Sequence, residues 1–175
     1  NVEDHYMLST DRRIAGLREV IDRKNYFVLH APRQVGKTTS LLALGAALTA
    51  EGRYAAVLVS METGGARSDP DAAELTMLGS WRSRARHWLP PELQPPPWPD
   101  AVPGTRIAAA LEAWARHCPR PLVVFLDEID ALSGELMTSV LRQIRDGHPN
   151  RPDAFPWSLA LVGLRDGRDY TLASG

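Results

Sequence analysis

The most informative stretch of the chain is Tyr26-Phe-Val-Leu-His-Ala-Pro-Arg-Gln-Val-Gly-Lys-Thr38. Tyr26 to His30 is a short β-prone run that ends before Pro32, and from Gly36 to Leu48 the composition turns to Leu, Ala and Thr, as a helix would. Residues 31–38 therefore lie between a strand and a helix, the setting that a phosphate loop requires. The reason is physical. Free backbone N–H groups at a helix N-terminus, together with the helix dipole, attract polyanions. Gly36 lets the backbone pass close to phosphates, Lys37 adds a mobile charge at the β- and γ-phosphates, and Thr38 offers its hydroxyl to Mg²⁺. The candidate nucleotide-binding set is thus Arg33, Gln34, Val35, Gly36, Lys37, Thr38 and Thr39. One position departs from the usual pattern: it opens on Ala31 instead of Gly.

Strand-like and helix-like segments alternate on either side of this loop, which predicts a parallel sheet covered by helices. Residues 9–22 place Ile14, Leu17 and Ile21 on one helical face behind Ser9 and Thr10 as caps. Tyr54 to Ser60 reads as the second strand, and Leu75, Leu78, Trp81, Ala85 and Trp88 then recur at helical spacing. Seven of the 14 prolines fall in 90–104, so an extended surface excursion is expected there. A helix follows with Thr105 as cap and Ile107, Leu111, Trp114 and Ala115 inward. Leu122-Val-Val-Phe-Leu126 is an unbroken apolar run, as in a strand buried on both faces. Ser133 caps a further helix carrying Leu136, Val140, Leu141 and Ile144, and Trp157 to Leu164 supplies the last strand.

The buried run at 122–126 ends in Asp127-Glu128-Ile-Asp130. Carboxylates at the C-terminal end of a parallel strand point into the crevice where such sheets bind ligands. Asp127 is placed to hold Mg²⁺ through water, and Glu128 to orient and deprotonate an attacking water. Acidic residues after a buried strand are often only helix N-terminal charges, but the chemical reading is the stronger, and the more so beside the loop at 31–38.

The composition agrees with a single domain. The chain has 175 residues, enough for one real core, with 44% apolar and 23% charged residues, which excludes disorder and fibrous repeats. Twenty Lys and Arg against 21 Asp and Glu leave a net charge of −1, so a domain that coats nucleic acid by charge alone is not expected. A single cysteine, Cys118, excludes an internal disulfide framework, and an inert buried thiol is the expected role. No signal peptide opens the chain, which begins at Asn1, and no apolar run reaches the roughly 18 residues of a spanning helix. A cytoplasmic protein without a membrane partner is the expectation.

Pro32-Arg-Gln-Val-Gly-Lys-Thr-Thr39 and Leu126-Asp-Glu-Ile-Asp-Ala-Leu132 resemble the Walker A and Walker B motifs of P-loop ATPases, and the Asp-Glu pair is similar to the AAA+ and STAND (signal-transducing) branch. The resemblance covers about residues 6–170. It implies a three-layer α/β sandwich with a mainly parallel sheet in which the strands, numbered along the chain, lie in the order 2-3-4-1. It also implies ATP and Mg²⁺ as cofactors, hydrolysis with Lys37 and Glu128 as catalytic residues, and Thr38 and Asp127 at the metal. Leu161-Val-Gly-Leu-Arg165-Asp166 falls at the sensor 1 position, where an arginine looks more like the STAND pattern; Arg165 would then read the γ-phosphate, with Arg168 as the nearby rival. Tyr6 lies where related ATPases bring an N-terminal segment against adenine, a disordered terminus being the equal alternative.

On this reading residues 1–24 form an N-terminal segment and helix, and 25–175 the ATPase core with its excursion at 90–104. The fifth strand and helical lid of the resembled family are missing, so the residues are expected to belong to a longer protein. Its function would be ATP hydrolysis driving a conformational switch, with other protomers or a fused effector as partners. Two alternatives stand beside it: a nucleotide-sensing module that scarcely hydrolyses, and a kinase or nucleic-acid-associated ATPase. Trp81-Arg-Ser-Arg-Ala-Arg-His-Trp88 could suggest a nucleic-acid surface, but helical spacing gives a plainer account in which Trp81, Ala85 and Trp88 face inward.

Overall fold

The structure, a computed structural model, describes residues 10–30 and 36–163, with side chains from residue 16 onward. Four parallel strands, β1 (Tyr26–His30), β2 (Ala55–Ser60), β3 (Leu122–Asp127) and β4 (Ser158–Gly163), form one sheet in the order β1-β4-β3-β2. Read from the other edge this is 2-3-4-1, the expected order. All strands run in one direction, so their C-terminal ends meet along one edge of the sheet.

Period-2 alternation splits the apolar side chains between two cores. Ala56, Leu58, Val123, Phe125, Ala160 and Val162 face α1 (Thr10–Asp22) and α2 (Lys37–Ala50), which contribute Ile21, Leu41, Leu44 and Leu48. Val57, Val59, Val124, Leu126 and Leu159 face the other way, toward α4 (Pro70–Trp88), α5 (Arg106–His117) and α6 (Gly134–Gly147). Helices therefore cover both faces, giving three layers. β2 and β3 are buried on both sides, which is why they read as unbroken apolar runs. A one-turn helix, α3 (Glu62–Gly65), links β2 to α4. No helix among the described residues is long and apolar enough to cross a membrane.

Helix α4 corrects the sequence expectation at two positions. Trp81 and Ala85 are fully buried, but Trp88 is 44% exposed, because the inward stripe continues to Leu89, four residues after Ala85. Leu75 is 55% exposed, while its neighbour Glu74 takes the inward place. Glu74 tolerates burial because its carboxylate accepts from the Gly104 backbone N–H at 2.8 Å and from the Gln143 amide at 2.6 Å. The proline-rich 90–104 segment is mostly extended, as its prolines dictate, with a 3-10 turn at Pro91–Leu93. It is a strap packed onto α4 and α5 and not a free excursion. Leu93 is fully buried, the Trp98 indole donates to the Leu78 carbonyl at 2.9 Å, and the Trp114 indole donates to the Leu93 carbonyl at 3.0 Å. Thr105 and Ser133 occupy the N-cap positions of α5 and α6, as expected, yet neither makes a side-chain cap bond.

Candidate functional site

The C-terminal sheet edge gathers the chemistry. Gly36 stands at the N-cap of α2 with φ 64°, a left-handed conformation that a glycine adopts at no steric cost. That turn aims the first residues of α2 across the edge toward β3. Thr38 Oγ1 donates to Asp127 Oδ2 at 2.8 Å, joining residues 89 apart in sequence. Lys37 Nζ lies 3.8 Å from Asp127 Oδ1 and 3.5 Å from the Gly163 carbonyl at the end of β4. Three strand or helix ends, those of α2, β3 and β4, thus converge on one ammonium and one carboxylate.

Asp127 is held from its own chain as well. Its Oδ1 accepts the Glu128 backbone N–H at 2.9 Å, and its carbonyl accepts from Met61 N at 2.9 Å. The side chain is only 3% exposed, so these partners satisfy a carboxylate withdrawn from water. Asp127 shares its face with Ser60, its register partner on β2.

Glu128 leaves the strand with φ 60° and ψ 36°, the left-handed region that non-glycine residues rarely enter. Strict alternation would send its side chain to the α4–α6 face. The left-handed turn brings the carboxylate back to the sheet edge, where Oε2 accepts from the Ser60 hydroxyl. The same hydroxyl accepts from Glu62 N at 3.0 Å, and the Ser60 carbonyl accepts from the buried Trp81 indole at 3.2 Å. Glu128 itself is exposed.

Of the residues singled out in the sequence, Lys37, Thr38 and Asp127 are in direct contact, and Gly36, Thr39 and Glu128 line the same edge. Tyr6, Arg33, Gln34, Val35, Arg165 and Arg168 lie outside the described residues. Ser60 is the residue that sequence reading passed over. It read as a strand end, and the only available signal was a polar side chain closing an otherwise apolar strand. Cys118 is buried and free, and burial pushes its thiol pKa up, away from a reactive thiolate.

No protein-family model matches the chain, and no curated protein sequence does. A solved structure does, by shape: a chain in the structure of Drosophila ORC bound to GC-rich DNA and Cdc6. The TM-score is 0.56 at 14% identity, over 95% of this chain and 26% of that one. What the two share is the fold, a parallel α/β sheet covered by helices. This chain spans about a quarter of the length of that neighbour, 26%, and the likeness is one of architecture.

Proposed function

We propose that this chain binds Mg-ATP at the N-terminus of α2 and hydrolyses it, as the switch of a longer STAND-like protein. The observation that carries the reading is the meeting of Lys37 and Thr38 with Asp127 at the C-terminal sheet edge. The donor set fits a hard divalent cation: a hydroxyl and a carboxylate already share one position, and both are oxygen ligands. Thr38 and Asp127 would hold the ion. Bound there, Mg²⁺ would neutralise phosphate charge and so ease departure of the leaving group.

The chain's own residues account for the remaining work. Backbone N–H groups at the start of α2 and the Lys37 ammonium bind the phosphates. Glu128 faces the crevice and takes the proton of an attacking water at its carboxylate, being one residue past the ion-holding Asp127. Arg165, or Arg168, completes the γ-phosphate contacts in this proposal. The hydrogen bond from Ser60 holds the Glu128 carboxylate at the sheet edge and so orients the proposed base.

Calorimetric titration with Mg-ATP and Mg-ADP tests the binding half. Saturation at about 100 Kd should stabilise the fold by about 2.7 kcal/mol. For a chain of this size that is a rise of about 5–10 °C in Tm. Lys37→Ala should abolish the shift; an equal shift in wild type and variant would overturn the site. Turnover of the wild-type chain, lost in Glu128→Gln, tests the second half, and binding without turnover would favour a sensing module.

A further inference from the structure

We propose that Trp81 is a positioning residue for Glu128, acting through Ser60; the inference rests on the hydrolytic reading above and extends it to a residue buried away from the nucleotide. Trp81 is fully buried within α4, and its indole N–H donates to the Ser60 carbonyl at 3.2 Å. The Ser60 hydroxyl in turn donates to Glu128 Oε2. One residue of β2 therefore takes a bond from the helix layer on its backbone and passes one to the candidate base on its side chain.

The placement of this contact makes it more than packing. Ser60 is the last residue of β2, which stands at an edge of the described sheet beside β3, and its backbone carbonyl takes the Trp81 indole. Strand ends fray unless something fixes them. Here three bonds converge: Met61 N on the Asp127 carbonyl, Glu62 N on the Ser60 hydroxyl, and the Trp81 indole on the Ser60 carbonyl. The first two come from the same turn of chain. Only the third ties the turn to the helical layer.

Helix α4 is itself tied to the strap. The Trp98 indole of the strap bonds the Leu78 carbonyl, one turn before Trp81. Arg82, next to Trp81, lies over the Trp98 ring at 4.9 Å and donates to the Pro96 carbonyl at 2.7 Å. Trp81 is thus presented from a fixed helix. An indole serves where phenylalanine would not, because the contact needs an N–H at the end of a large apolar ring.

The test is a double-mutant cycle on turnover, with nucleotide affinity read separately. Trp81→Phe keeps most of the buried ring and removes the donor. Losing one part-buried hydrogen bond that acts only on the base should lower kcat by about 5–10-fold with the Kd for Mg-ATP unchanged. Ser60→Ala should lower kcat similarly. If Trp81 acts through Ser60, adding Trp81→Phe to Ser60→Ala should cost no further turnover. A multiplicative double variant, or an unchanged kcat in Trp81→Phe, overturns the proposal. Glu128→Gln run alongside separates the two readings: if it turns over as wild type, the hydrolytic reading itself fails. Where Trp81→Phe does not fold or wild-type turnover is too slow to divide, ¹⁵N-indole spectra decide instead. Ser60→Ala and Glu128→Gln should each move the Trp81 N–H resonance and leave that of Trp114 in place. An unmoved Trp81 resonance in both variants counts against the coupling.

Discussion

The Ser60 hydroxyl donates to the Glu128 carboxylate across two adjacent strand ends, although the residues are 68 apart in sequence. The contact exists because β2 and β3 pair Ser60 with Asp127 and because Glu128 turns back in a left-handed conformation. It engages one carboxylate oxygen, Oε2, of an exposed side chain. A hydroxyl at position 60 is the only requirement, so Ser60→Thr should retain wild-type turnover where Ser60→Ala loses about 5–10-fold, the effect of one hydrogen bond. Equal rates for the two variants would remove the hydroxyl from the mechanism.

Lys37 and Asp127 should show coupled stability in the nucleotide-free protein. Their side chains are 15% and 3% exposed, so removing the cation leaves a carboxylate that water barely reaches. Thr38 and the Glu128 N–H still serve Asp127, which limits the damage. Lys37→Met should therefore cost about 1–3 kcal/mol in urea unfolding, below the range for a fully buried pair. Asp127→Asn added to it should recover at least half of that loss. Additive losses in the double variant would show that the pair contributes nothing as a pair.

The two tryptophans at 88 and 98 should rank opposite to their positions in the sequence pattern. Trp98 stacks on Arg82, meets Trp114 edge-on with ring centroids 5.9 Å apart and bonds Leu78, so Trp98→Ala should destabilise by about 3 kcal/mol. Trp88 is 44% exposed at the end of α4. Trp88→Ala should cost less than about 1 kcal/mol, as for a surface substitution. Thermal or urea unfolding of both variants would check the order, and a larger loss at Trp88 would contradict the strap.

The sheet was legible because its evidence is local. β3 carries its burial on both faces as an apolar run, and the loop at 31–38 sits between a strand and a helix by composition alone. The strand order came from the resemblance carried by the two motifs. What was not legible depends on partners far along the chain. A helical pattern cannot tell whether the inward stripe of α4 passes through Glu74 or Leu75; Gly104 and Gln143, 30 and 69 residues on, decide for Glu74. Prolines announce an extended strap but not what it lies on, which Trp98 and Leu93 fix through carbonyl and core contacts. Ser60 gave no sign because its partner is on another strand, and the left-handed turn that delivers Glu128 leaves no mark in a Leu-Asp-Glu-Ile run.

That turn yields a prediction in which stability and activity move in opposite directions. Glu128 holds φ 60° without being glycine, and a left-handed residue with a Cβ costs roughly 1–2 kcal/mol. Glu128→Gly relieves this cost, and the extra freedom it gives the unfolded chain takes back part of the gain, roughly 0.5–1 kcal/mol. The lost Ser60 hydrogen bond is exposed and offsets little. The net should be a rise in Tm of about 1–4 °C for a chain of this length. Glu128→Ala keeps the Cβ and so keeps the strain, and it should melt at or below the wild-type temperature. Both variants lose the candidate base, and turnover should fall by about 10²–10⁴-fold in each. Scanning calorimetry and a phosphate-release assay on the same three proteins would separate the two roles of the residue. Glu128→Gly melting below Glu128→Ala would mean that position 128 stores no backbone strain. Turnover surviving in both would mean that the carboxylate is not the base.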